Sequence, residues 1–356
     1  MSRDLPVPTP QGVLKEFYES GALPDGYVYP ASLDALAPDL KALLLNVHGA
    51  LGDDLRRVSA NVLFGTTPPP FHVDYVDATG ANAENAIAFR RSGFSFILFT
   101  LPMVVRLLHT SDSLSSLPSI PHLLDMGPPS PDLTVMLRAM LFSNQLNFLV
   151  SHEFAHHAFE HVASASIRKE LHDSPPQAGL TRQVQEVEAD TFAVYIALAY
   201  LFDGAGREPA TAFFKDRQRS EAEIDKMLLG LFVVAMGGFF YAFPEMVVDS
   251  SNVIRRHHPP EDLRMNYVMH GATSWCDQNR PILEPWMTPN RYSRYIKPVV
   301  EAMRGRPAVG VSTSVQSEFL LSDAGSEYRK QLEELRLQNF GARKQRRETG
   351  TSGDPG

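Results

Sequence analysis

The sequence predicts a mainly α-helical fold with a small antiparallel β-sheet, an α+β arrangement. Two observations carry this. Apolar residues recur at helical spacing over long stretches, one of which, residues 133 to about 165, contains neither Pro nor Gly. Against that background, residues 71–77 and 86–99 are rich in aromatic and β-branched side chains, with Arg91-Ser92-Gly93 between Phe89 and Phe94 reading as a hairpin turn. Hydrophobic residues make up 44% of the 356 positions and charged residues 21%, the profile of a folded chain.

Residues 1–30, rich in Pro and Gly, read as an extended lead-in. Leu33, Leu36, Leu40, Leu43 and Leu44 predict one or two helices within residues 32–58, and the three prolines at 68–70 a break. The two strand-like segments follow. Leu101-Pro102 opens a helix to about His109, because proline suits a first helical turn. Residues 111–131, dense in Ser and Pro, read as a long loop, and Asp132 as the cap of the next helix. Further helices are expected over 181–202, as a pair within 210–248, over 261–277 and over 314–340. One domain over 31–340 follows, with a core at about 132–280. Residues 341–356, which include Arg343, Lys344, Arg346 and Arg347, are expected to form a disordered basic and polar tail.

The formal charge is 33 − 41 = −8, which argues against general attraction to nucleic acid or anionic lipid. Cys276 is the only cysteine, so an internal disulfide and an all-cysteine metal site are both excluded. A cytoplasmic location fits this, as does an N-terminus without the apolar core of a secretory signal. Residues 227–243 carry no charge. They are at the short edge of what spans a bilayer, and read either as a buried core helix or as a membrane segment.

The chemistry concentrates in His152-Glu153-Phe154-Ala155-His156. Histidines four apart on a helix leave the same face one turn apart, where both imidazoles can reach one Zn²⁺. Glu153, about 100° round from His152, is placed beside such a metal, where it can take a proton from water. A catalytic zinc wants a third protein ligand and an open position. Glu186-Val187-Glu188-Ala189-Asp190 offers Glu186 for that ligand and Asp190, one turn on, to fix the tautomer of a ligating imidazole. Glu188 is expected to point into solvent. His157 should point away from the metal. His161, five beyond His156, suits a hydrogen-bonding or packing role better than ligation.

His152 to His156, followed after 29 residues by Glu186 to Asp190, resembles the gluzincin metallopeptidases, above all the HtpX-like and CAAX-prenyl-protease-like families. These carry a third element, a His-Pro segment ending in arginine, which His258-Pro259 through Arg264 matches in order and form. The signature is similar also to the ImmA-like and the Lit-like phage-exclusion peptidases. It covers residues 149–264. The resemblance implies a zincin-like core, one Zn²⁺ per chain held by His152, His156 and Glu186, and a protein or peptide substrate. It implies active-site roles for His258 and Arg264. His258 suits an oxyanion-stabilising role or, equally, a turn before prolines; the alternative for Arg264 is to pair with Asp190 or Glu188 and brace the site. The integral-membrane members have a set of spanning helices that this sequence lacks. A segment with the form of residues 94–99 can receive an extended peptide at a sheet edge. The expectation is a zinc-dependent endopeptidase with Glu153 as general base. The alternatives are an inactive, zinc-stabilised sensor or interaction protein and a membrane-anchored peptidase.

Overall fold

A computed structural model describes residues 8–23, 26–36, 38, 40–42, 44–45, 71–80, 83–162, 176–214, 219–244, 248–305 and 315–349. The expected proline break and most of the helical stretch at 32–58 lie outside them.

The N-terminal residues are not simply extended. Thr9 accepts from the Gly12 N–H and Pro10 fills the first turn, so helix α1 (Pro10–Glu19) starts there. Val13, Leu14 and Phe17 fall on one of its faces and pack on a small sheet, Phe17 stacking on Phe89 at 5.1 Å. The sheet contains β1 (Tyr27–Val28), β2 (Phe71–Ala78), β3 (Ala86–Arg91) and β4 (Phe94–Thr100), in the order β1-β2-β4-β3. The expected hairpin is β3–β4, closed by Ser92 and Gly93, both at positive φ as a two-residue turn requires. The sheet is nevertheless mixed and not purely antiparallel, because β2 pairs with β4 in parallel. As a result β4 lies between two strands and has no free edge; beyond it β3 is the outer strand on that side, and the short β1 lies at the opposite edge. Both faces of β4 are covered. Phe96 and Leu98 pack with α1, while Ile97 and Phe99 enter the main core. That double burial is why the segment reads as a continuous apolar run instead of an alternating one.

Helix α2 (Leu101–Ser115) runs a turn and a half past the expected end, and α3 (Ser119–Leu123) occupies part of the expected loop. Serine is tolerated in α2 because its hydroxyls turn inward; Ser111 Oγ donates to the Leu107 carbonyl at 2.8 Å. Helix α4 (Pro131–Ala158) is capped by Ser130, with Asp132 in its first turn instead of at the cap. Then come α5 (Pro176–Asp203), α6 (Glu208–Phe214), α7 (Glu221–Tyr241) and α8 (Glu261–Asn279). Helix α9 (Pro289–Arg304), unforeseen, contains Pro298 and begins at a Thr288 cap. The chain continues as α10 (Val315–Leu321) and α11 (Asp323–Thr349). Residues 341–349 of the expected tail are therefore helical.

Helices α4 and α5 pack tightly, with Ala155, Ala189 and Ala193 all fully buried and Phe154 stacked on Phe192 at 6.0 Å. Residues 227–241 of α7 are buried without exception. Helices α4 and α7 are both long and apolar enough to cross a membrane by composition, but 94% of the relevant window of α7 is enclosed by this fold.

One close approach positions the site. A Cβ at Gly179, near the start of α5, would lie 2.1 Å from the Ile254 carbonyl oxygen. On the next turn Gln183 Nε2 donates to the carbonyls of Val253 (2.6 Å) and Arg256 (2.9 Å), and Tyr328 Oη donates to Gln183 Oε1 at 2.5 Å. These contacts fix the segment that leads into His257 and His258. Gly179→Ala is expected to destabilise the protein by about 1–3 kcal/mol, because backbone must move to admit the methyl group. Chemical denaturation checks this; an unchanged midpoint would mean that the approach is slack.

Candidate metal centre

His152, His156, Glu186, Asp190, His258 and Arg264 come together in one cluster. His152 Nε2 lies 3.2 Å from His156 Nε2 and 3.2 Å from Glu186 Oε2, and His156 Nε2 lies 3.5 Å from Glu186 Oε1. A tetrahedral ion about 2.0–2.1 Å from each donor would separate the donors by about 3.3–3.4 Å, close to the 3.2–3.5 Å found among the two imidazoles and the two oxygens of Glu186. Glu153 adjoins His152 on α4 and is buried. The surrounding charge points the same way. Glu153, Glu186, Glu188 and Asp190 are all buried around His152 and His156, with Arg264 against Asp190, His161 against Glu188 and His258 against Glu186. Buried carboxylates in that excess call for a cation.

Each ring is held from behind. His152 Nδ1 is 2.9 Å from Asp190 Oδ1, and Asp190 accepts two hydrogen bonds from Arg264, from Nε and Nη2, each 2.7 Å. Arg264 therefore braces Asp190, settling the question the sequence left open. Burial disfavours the charged form of all three groups, but the contacts outweigh it. The Asp190 carboxyl is held below the usual range by Arg264, and the Arg264 guanidinium is held charged by Asp190. For His152, burial is overcome by hydrogen bonds to Asp190 and Glu186, which push it up to about 10 in the chain alone. Glu186 is held well below the carboxylate range despite burial, first by His258 and His156.

Correction is needed at Glu188. It is not solvated but only 8% exposed, and its Oε2 lies 3.1 Å from His161 Nε2; His161 Nδ1 in turn lies 3.1 Å from His156 Nδ1. On a continuing helix His161 would stand about 140° round from His156, whereas α4 ends at Ala158. Glu160 takes a left-handed φ of 58°, and the His161 N–H donates back to the His156 carbonyl at 2.8 Å. This helix-ending turn swings His161 against His156. His157 does point away, its Nε2 2.9 Å from the Phe96 carbonyl of β4. Burial pushes its pKa down to about 4, so it is neutral and donates there. Arg90 of β3 reaches the His157 carbonyl at 3.0 Å, which ties the outer strand to the end of the metal-site helix. Tyr241 donates to Asp262 at 2.9 Å within the core and does not serve the site.

His258 Nδ1 is 2.9 Å from Glu186 Oε2, and its Nε2 is 3.2 Å from His257 Nδ1. His257 was absent from the sequence-based expectation; only its position beside His258 hinted at it. These three residues also cluster closely enough to suggest a second ion site. His258 turns one nitrogen to each neighbour, so a chain of polar contacts runs from Glu186 to His257. The side chain of His258 is 42% exposed, which leaves it at the mouth of the site.

The fold and this cluster define a protein with a buried site of two histidines and one glutamate able to hold a metal ion. Residues 125–278, somewhat under half of the chain, match the family model Peptidase U49. That span includes every site residue from His152 to Arg264, and the match supports a peptidase. No curated protein and no solved structure gives a significant match.

Proposed function

We propose that this protein is a zinc-dependent endopeptidase. The observation that carries the reading is the set of three donors at tetrahedral spacing on two packed helices, inside the span that matches a peptidase family. Two imidazoles and one carboxylate suit zinc and leave a position for water and substrate. When bound, such an ion supplies Lewis acidity, polarising a scissile carbonyl and lowering the pKa of water towards about 7.

The chain's own residues do the rest. Glu153 accepts the proton of the attacking water and delivers it to the leaving amine. His258, exposed at the mouth and tied to Glu186 through Nδ1, turns Nε2 from His257 to donate to the oxyanion that forms as the carbonyl is attacked. Phe148 and Phe240 pack under the site, their rings 5.8 Å apart, and help to keep its floor dry. An extended substrate adds to the outer strand β3, which Arg90 holds against the end of α4.

The test is metal analysis of the full chain, taken from the detergent-free soluble fraction as the enclosure of α7 leads us to expect. About one zinc per wild-type chain and none in His156→Ala is the expected result. A chelator should abolish cleavage of an unfolded protein substrate, and added zinc should restore it. Cleavage that continued in a fully demetallated sample would overturn the reading.

A further inference from the structure

We propose that His161 and Glu188 form a positioning pair for His156, the counterpart of Asp190 and Arg264 behind His152. The inference rests on the metal reading and deepens it, since it says which groups outside the donor set determine how tightly the ion is held.

The argument starts at the end of the chain of contacts. An ionised carboxylate can only accept, so Glu188 Oε2, 3.1 Å from His161 Nε2, fixes the proton of a neutral His161 on that nitrogen. His161 Nδ1 is then a lone pair. It faces His156 Nδ1 at 3.1 Å and accepts that ring's proton. With its proton held on Nδ1, His156 presents Nε2 as a lone pair towards Glu186 and His152, which is the form a metal ligand requires. A single carboxylate two bonds removed from the ring thus selects the tautomer.

Burial makes this selection firm. The side chains of His161 and Glu188 are only 3% and 7% exposed, so water does not compete well for their hydrogen-bonding atoms. The turn itself is braced: the Phe159 ring lies 5.7 Å from His161 and 5.2 Å from Phe192 of α5. Helix α5 therefore supplies both orienting carboxylates, Glu188 for one ligand and Asp190 for the other, two residues apart.

A packing role for His161 makes a different forecast, and the choice of variants separates the two. His161→Phe fills the space but cannot accept a proton from His156. His161→Gln keeps one acceptor and one donor. Zinc affinity of the full-length variants would be measured by competition with a chromophoric chelator, and folding of the metal-free forms by circular dichroism and thermal unfolding. His161→Phe and Glu188→Ala are each expected to weaken zinc binding about 10–100-fold. The double variant should be little weaker than either single one, because the two residues act in series. His161→Gln should recover most of the lost affinity. Wild-type affinity in His161→Phe, or equal loss in His161→Phe and His161→Gln, would overturn the pair while leaving the metal centre intact. A wild-type chain that bound no zinc would overturn the metal reading, and the pair with it. Should His161→Phe fail to fold, the comparison of Glu188→Ala with Glu188→Gln decides: an amide oxygen still accepts from His161, so retained affinity in Gln alone supports the pair, and equal loss in both rejects it.

Discussion

Glu153→Gln should retain about one zinc per chain and lose cleavage by a factor of about 10²–10⁴. The substitution preserves size and shape, and Glu153 is not among the three convergent donors, so metal content and thermal stability should stay near wild type. What disappears is the capacity to take a proton. α4 sets Glu153 next to His152, about 100° round the helix, close to the donors yet off their axis. It is buried, so bulk water does not readily replace it as the base. Steady-state cleavage and metal analysis on the same preparation check both halves of the expectation. A variant that cleaved at the wild-type rate would remove Glu153 from the mechanism, whatever the metal content.

The second large effect belongs to Arg264. Its two hydrogen bonds to Asp190 are made away from water, and its guanidinium also lies 5.0 Å from the Phe240 ring centroid. Arg264→Met leaves the Asp190 carboxylate buried beside Glu186 without its main counter-charge. A loss of about 3–5 kcal/mol is expected, as for other broken buried pairs. Asp190→Asn combined with Arg264→Met should recover a good part of it, because the charge is removed with its partner. The pH dependence follows from the direction of the Asp190 shift. Its carboxyl is held below the ordinary range in the folded protein. The stabilisation is therefore complete above the unfolded value of about 3.9 and is lost as pH falls through the folded value. Urea unfolding of the metal-free proteins, repeated at falling pH, measures both effects. A cost under about 1 kcal/mol for Arg264→Met would place the pair among exposed ones.

How much of this was legible in the sequence follows from how local each feature is. His152 and His156, like Glu186 and Asp190, are related by one helical turn, and that spacing survives whatever the rest of the chain does. Pairing between strands has no such local mark. Residues 94–99 could be recognised as a strand, but only the three-dimensional arrangement shows that β2 runs parallel to it and closes its edge. Helix α9 contains Pro289 and Pro298, residues that mask a helical pattern when met locally, although the first suits an N-terminal turn. Helix α1 was hidden by the prolines around it. The misreading of Glu188 had one cause. Glu160 adopts a left-handed conformation that usually marks glycine, so nothing in the residue types announced that α4 stops there. His161 therefore turns back beside His156 and Glu188, a placement that no spacing along a helix reveals. The opposite side of α5 was taken for solvent, when this turn covers it.

The enclosure of α7 has a consequence for biosynthesis. Its apolar surface faces inward on every side: Gly238 is pressed against Leu114 of α2 and Gln145 of α4, and Gly237 against Ile296 and Val299 of α9. The last of these partners is made after α7 itself. A nascent chain emerging from the ribosome must therefore carry an all-hydrophobic cylinder, unshielded on one flank, until α9 has been translated and has closed over it. During that interval the chain is prone to self-association, and its yield in a cell depends on how quickly elongation passes α9 or how well chaperones cover the gap.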